Sequence, residues 1–245
     1  MSEITGVQSV VRTFALLELL CKHGELGVTQ LSKLSGLSKA TVFRLLNTLV
    51  ELGYVKKNNI SENYGVSLKF LTISSAQRAK FDQRMDMRPK LEELSSECGE
   101  TVHLVERNGK DIVYIDKIEN STNTFRMASQ IGLSLPMVYT ASGKVIMSDL
   151  SIDEIKQIWD ESNVFAKTDK TITDFDVFVK EIEEVRKNGY AIDNEENELG
   201  VCCIAVGVRD LDGELRYAIS VSVPTVRLND EKAEKIKKLL TKYSS

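Results

Sequence analysis

Four side chains of one segment, Thr41, Arg44, Asn47 and Thr48, recur at three- and four-residue spacing within SKATVFRLLNTLVE, residues 38–51. On an α-helix such positions share a face. Hydroxyls, an amide and a guanidinium are the groups that bond to phosphate oxygens and to base edges in a DNA groove. The opposite stripe, Val42, Leu45, Leu46, Leu49 and Val50, is apolar and suited to burial. Other chemistry is poorly served. Gly143-Lys144 invites comparison with a phosphate loop, but Val138 stands where the first glycine of that motif belongs and Val145 where its Ser or Thr belongs. The only histidines are His23 and His103, and no G-x-S-x-G turn presents a nucleophile, which argues against hydrolase chemistry and against an enzyme. His103, Asp193 and Cys203 would make an N, O, S set for zinc if the fold gathered them. A lone strand histidine is more often a hydrogen-bonded structural group.

The elements around the polar helix give it a purpose. Residues 7–22 predict a first helix, with Val7, Val10, Val11, Phe14, Leu17 and Leu20 as its apolar set and Gly24 as its stop. A short second helix starts near Thr29, taken as its N-cap, and ends at Ser35-Gly36; the third is capped by Ser38. Two helices joined by a short Gly-containing turn form a helix-turn-helix, whose second member enters the major groove. After Gly53, residues 54–68 read as a hairpin with a polar tip at 58–63 and Lys56 and Lys57 on its rising arm, a wing that would add phosphate contacts. Ser38 and Lys39 at the helix start complete the expected DNA-reading set. Arg44 would fork onto a guanine edge or a phosphate.

Net charge at first contradicts this reading. The 245-residue chain carries −4. Residues 1–88, however, hold 12 Lys and Arg against 7 Asp and Glu, a net of +5, which leaves −9 for residues 89–245. The basic character is local, so two domains are expected, 1–67 and 89–245, joined by a connecting helix at 68–88. In the second domain, 90–98 reads as a helix, 100–118 as a hairpin turning at Asn108-Gly109, and 124–128 as a strand. Helices follow at 141–148, 151–159 and 175–188, strands at 203–209 and 217–223, and a last helix at 230–243. This is an α+β domain on a largely antiparallel sheet. Cys21, Cys98, Cys202 and Cys203 form neither a disulfide framework nor a zinc knuckle, and no leader or membrane-spanning run is evident, so a reducing, cytoplasmic setting without membrane contact is expected.

Three segments together resemble the IclR-type bacterial transcriptional regulators across essentially the whole chain. They are the helix-turn-helix pattern through LSKATVFRLLNTLVELGYV, the stretch GLSLPMVYTASGK at 132–144, and GYAIDNEENELGVCCIA at 189–205. The resemblance implies a winged helix-turn-helix, a linking helix and a GAF-like effector domain, acting as a homodimer or homotetramer. It also implies that a small organic acid changes the affinity for operator DNA, with a carbohydrate or organic-acid operon, for example one answering to a 2-keto-3-deoxy sugar acid, as the target. By that resemblance Ala141, Ser142, Asp193, Cys203, Ser220 and Ser222 fall on effector contacts. Their chemistry agrees: Ser220 and Ser222 share one face of a strand, and N–H groups where residues 141–144 open a helix suit a carboxylate. Glu195, Glu196 and Arg126 are assigned to structure. The competing reading is a metabolite-binding protein or enzyme whose helix-turn-helix serves protein contacts.

Overall fold

The structure, a computed structural model, describes residues 6–82, 87–120, 127–210 and 212–243, with the backbone alone at 77–82. Contacts divide the chain into two compact units, Met1–Met85 and Asp86–Ser245.

In the first unit, α1 (Gln8–His23), α2 (Val28–Ser35) and α3 (Lys39–Glu51) are followed by a hairpin of β1 (Val55–Lys57) and β2 (Tyr64–Val66), then α4 (Lys69–Asp82). The core gathers Leu16, Leu17 and Leu20 of α1, Leu31 of α2, Val42, Leu46 and Leu49 of α3, and Val55 and Tyr64 of the wing. Gly24, Gly36 and Gly53 all take positive φ, the conformation that ends a helix tightly and is free of steric cost for glycine. Three local expectations are corrected. The second helix is capped not by Thr29 but from Gly27, whose N–H donates to the Gln30 side chain. Val50 is exposed. In α1, only Leu17 and Leu20 of the expected apolar set are buried; they are joined by Leu16, while Val7, Val10, Val11 and Phe14 are exposed, 68% and 59% at the two ends. The helix has two apolar stripes, and a single stripe of sequence spacing merged them.

The second unit is one six-stranded sheet with strand order β5-β4-β3-β8-β7-β6 and antiparallel pairing throughout. Its strands are β3 (Thr101–Asn108), β4 (Asp111–Ile118), β5 (Ser134–Pro136), β6 (Tyr190–Asn194), β7 (Val201–Arg209) and β8 (Leu215–Pro224). The helices are α5 (Arg88–Cys98), α6 (Ala141–Met147), α7 (Ile152–Ser162), α8 (Phe175–Asn188) and α9 (Asp230–Leu240). β5 and β6 were not expected. The strand expected at 124–128 falls mostly outside the described residues, as does Arg126.

The pleat explains where a cavity forms. Residues 202, 204 and 206 of β7 and 219, 221 and 223 of β8 are Cys, Ile, Val, Ile, Val and Val, all buried; helix α9 packs on these strands, and α5 lies beside it against β3 and β4. The alternate positions carry small or polar residues: Cys203, Ala205 and Gly207 pair with Ser222, Ser220 and Ala218. That face receives α6, which packs Ala141 and Val145 against Ala205 and Ala191. Beyond α6, Trp159 of α7 and Phe178 of α8 complete a core with Met137, Tyr139 and Ile146. Among the described residues no helix is long and apolar enough to cross a membrane.

Candidate functional site

The polar face of α3 is exposed, and its donors separate into two groups. Ser38 caps the helix, accepting from the Thr41 N–H at 3.2 Å, and its hydroxyl lies 2.9 Å from that of Thr41. Thr48 donates back to the carbonyl of Arg44 at 3.2 Å. These three hydroxyls are engaged within the helix. Lys39, Arg44 and Asn47 are exposed and, among the described residues, have no protein partner. On the wing the two lysines differ likewise: Lys57 pairs with Glu62 across the hairpin, which raises its pKa, whereas Lys56 is exposed and, among the described residues, unpaired. Asn58 shapes the tip by accepting from the N–H groups of Ile60 and Ser61.

In the second unit a cavity of about 50 Å³ opens between the small-residue face of the sheet and the start of α6. Ala141, Ser142, Asp193, Cys203, Ser220 and Ser222 all line it, brought together from one helix and three strands by the register that sets His103 opposite Ser220 and Asp193 opposite Cys203. At the helix start Thr140 accepts the Gly143 N–H at 3.0 Å. The N–H groups of Ala141 and Ser142 have no acceptor among the described residues. Gly143 is required: a Cβ there would lie 2.2 Å from the Met137 carbonyl oxygen.

Burial moves the titrating groups of the cavity toward their neutral forms. Burial pushes the Asp193 carboxyl up to about 7, against the N–H groups of Glu196 and Asn197 that donate to it at 2.7 and 3.4 Å. Burial, with the nearby Lys117 charge, brings His103 down to about 3. Tyr114 and Cys203 are both raised by burial first and then by neighbouring acidic groups. His103 spans the cavity edge, with Nε2 2.8 Å from the Ser129 hydroxyl, Nδ1 3.4 Å from that of Ser222, and its ring edge-on to Tyr114 at 4.9 Å. Cys203 Sγ faces the Ser222 hydroxyl at 3.1 Å. The suggested zinc donors thus line one cavity, yet among the described residues no three His, Cys, Asp or Glu side chains are disposed to hold a metal ion. Asp193 is turned to backbone N–H groups, and His103 and Cys203 to serines.

Beneath the cavity lies the feature least legible in the sequence. Lys144 is fully buried, with Nζ 2.6 Å from Glu196, 3.3 Å from Glu181 and 3.0 Å from the Ile192 carbonyl. It ties α6 to α8 and to the loop after β6. The same loop is clamped from outside by Thr168 and Thr171, which donate to the carbonyls of Glu195 and Glu196, and by Lys170, which pairs with Glu195. Glu195 and Glu196 therefore serve structure, as expected. Tyr114, Ser129, Thr140, Asn197 and Glu198 also line the cavity; no local pattern marked them, since each reaches it through tertiary placement alone. For Lys144 the signal was its apolar surroundings, VYTASGKVIM, in which a lysine must bury and find a partner.

Comparison with known proteins agrees at both ends of the chain. Residues 9–59 match the model of the IclR helix-turn-helix domain and residues 77–245 that of the bacterial transcriptional regulator IclR C-terminal region. The chain is 37% identical over 229 residues to the HTH-type transcriptional regulator KdgR of Escherichia coli strain K12, covering 94% of this chain and 87% of that protein. It is 34% identical over 226 residues to the DNA-binding transcriptional repressor YiaJ of the same organism, 91% and 80% of the two chains. The crystal structure of the Thermotoga maritima IclR superposes with a TM-score of 0.77 at 29% identity, over 97% of this chain and 96% of that one.

Proposed function

The chain belongs to the IclR family of bacterial transcriptional regulators, and we propose that α3 and the wing grip its operator while a small organic acid in the β3–β8 cavity sets how tightly. The observation that carries the reading is the contrast on α3. Val42 and Leu46 are wholly buried, whereas Lys39, Arg44 and Asn47 stand exposed and unpartnered among the described residues on the other side. Donors left without protein acceptors, on a helix in this position, suit base edges and phosphates. Ser38, Thr41 and Thr48 shape the helix first and meet DNA second; Lys56 is a phosphate contact, and Lys57 a weaker one.

For the effector, the N–H groups of Ala141 and Ser142 suit a carboxylate. Ser220, Ser222, Cys203 and the half-protonated Asp193 offer hydrogen bonds to keto and hydroxyl groups. Recognition by such hydrogen-bonding groups favours a small hydroxy or keto acid, and a sugar acid is the class we infer. Its entry requires a rearrangement, because about 50 Å³ is far below the roughly 300–1,000 Å³ of small-molecule sites. A ligand that must enlarge its site has different affinities for two forms of the protein, which is what shifting an equilibrium demands. We infer that copies assemble as a homodimer or homotetramer that buries the exposed Val7 just before α1, Val10 and Phe14 of α1, and Leu71 and Ile73 of α4.

Arg44→Ala tests the first half. It should abolish selective binding of the operator in a gel-shift titration while leaving effector binding intact; unchanged operator affinity removes the assignment. A thermal-shift screen over small carboxylates and sugar acids tests the second, with Ser220→Ala and Ser222→Ala expected to lose the shift.

A further inference from the structure

Phe43 stands among the donors of α3 and not on its buried face. Lys39 lies four residues before it and Asn47 four after, with Arg44 beside it. Its ring is 48% exposed and takes no part in the core cluster of the unit. A single exposed apolar side chain needs no explanation by itself, but this one is not on open surface. It forms one wall of an open groove of about 480 Å³, faced by Thr29 and Gln30 of α2 and by Lys57, Asn63 and Tyr64 of the wing. The groove therefore runs between the helix expected to read bases and the hairpin expected to follow the backbone, with an aromatic ring at its helix side.

We propose that Phe43 is a specificity-determining residue that reads the 5-methyl group of a thymine in the major groove. That methyl is the one apolar group on the major-groove base edges, and phenylalanine is among the side chains that pack on it. Phe43 belongs to the first two turns of α3, the end from which a recognition helix contacts bases. Lys39 and Asn47, one helical turn away on either side, fix the register of the ring along the groove. The division of labour is chemical: Arg44 and Asn47 select purines through hydrogen bonds, and Phe43 selects thymine over cytosine, whose edge offers a donor and no methyl. This inference rests on the reading of α3 as the DNA-contacting helix.

The full-length protein is used to select duplexes from a randomised pool, and each thymine of the selected site is then replaced in turn by deoxyuridine, which deletes only the methyl. The wild type should lose about fourfold in affinity at one thymine per half-site, the worth of one methyl group withdrawn from water. Phe43→Ala should bind more weakly and be indifferent to that replacement; Phe43→Leu, which keeps apolar bulk, should retain part of the sensitivity. A wild type indifferent to every single replacement overturns the proposal, as does an equal loss in wild type and Phe43→Ala. Failure of the wild type to select any duplex would overturn the DNA-contacting role of α3 as well.

Discussion

Asp193 and His103 pull the stability of the effector unit in opposite directions as pH changes. Burial raises the Asp193 carboxyl from 3.8 to about 7, so the folded state binds its proton more tightly than the unfolded chain. Its contribution is complete below about pH 4 and is lost as pH rises through about 7. His103 is lowered from 6.5 to about 3, so its contribution is complete above about pH 6.5 and is lost as pH falls through about 3. Each displacement is slightly more than three pH units, or at most ~5 kcal/mol at ~1.36 kcal/mol per unit. The windows overlap, and in the wild type the two slopes largely cancel. Single substitutions uncover them. The stability advantage of wild type over Asp193→Asn should grow by on the order of 3 kcal/mol as pH is lowered from about 7 to about 4. Its advantage over His103→Gln should shrink by a similar amount across the same range. Urea unfolding followed by tryptophan fluorescence is the assay, because Trp159 is the sole tryptophan and lies buried in the effector unit. Taking differences between variants removes the other carboxylates, and any packing lost with the imidazole is a constant offset. Parallel wild-type and Asp193→Asn curves between pH 4 and 7 would mean that the folded state does not hold the Asp193 proton more tightly than the unfolded chain.

Three further outcomes follow from the geometry. Lys144→Met leaves the buried Glu196 without its counter-ion and should destabilise the effector unit by about 3–5 kcal/mol, with much of the loss recovered in Lys144→Met/Glu196→Gln; denaturation curves of the two variants decide it. Gly143→Ala drives a Cβ into the Met137 backbone and should cost at least about 2 kcal/mol while weakening the thermal shift given by carboxylates, since the start of α6, which lines the cavity, must shift. Lys56→Ala should lower DNA affinity evenly across sequences and reduce the slope of log affinity against log salt by about one, whereas Lys57→Ala should change it less because Glu62 already balances that charge.

The parts of this protein that obey local rules were legible in its sequence. Ser38 capping α3, the wing at 55–66, the Asn108-Gly109 turn and the helices α6 to α9 follow from caps, glycines and periodicity, forces that act within a few residues. The two strands that were missed have other causes. β6 is a five-residue edge strand whose acidic end continues into the loop holding Glu195 and Glu196, so its apolar alternation is cut short. β5 has three residues and ends in proline. The exposed stripe of α1 was read as core because spacing reports that residues share a face and not what the face meets. Of the cavity, the residues supplied by family resemblance do lie together. The roles of Lys144, Ser129 and Tyr114 depend on partners 11 to 52 positions away in the chain or on strand register, which no window of sequence contains.

In the proposed function one ligand site and one DNA site share a free energy. That coupling is tested most directly by measuring the affinity of the full-length protein for a selected duplex with and without a saturating small acid identified by thermal shift. The same titration is then repeated with Ser220→Ala/Ser222→Ala. The acid should change duplex affinity at least fivefold in the wild type, about 1 kcal/mol of coupling, and leave the variant unchanged. Equal duplex affinity with and without an acid that demonstrably binds the wild type would contradict that coupling.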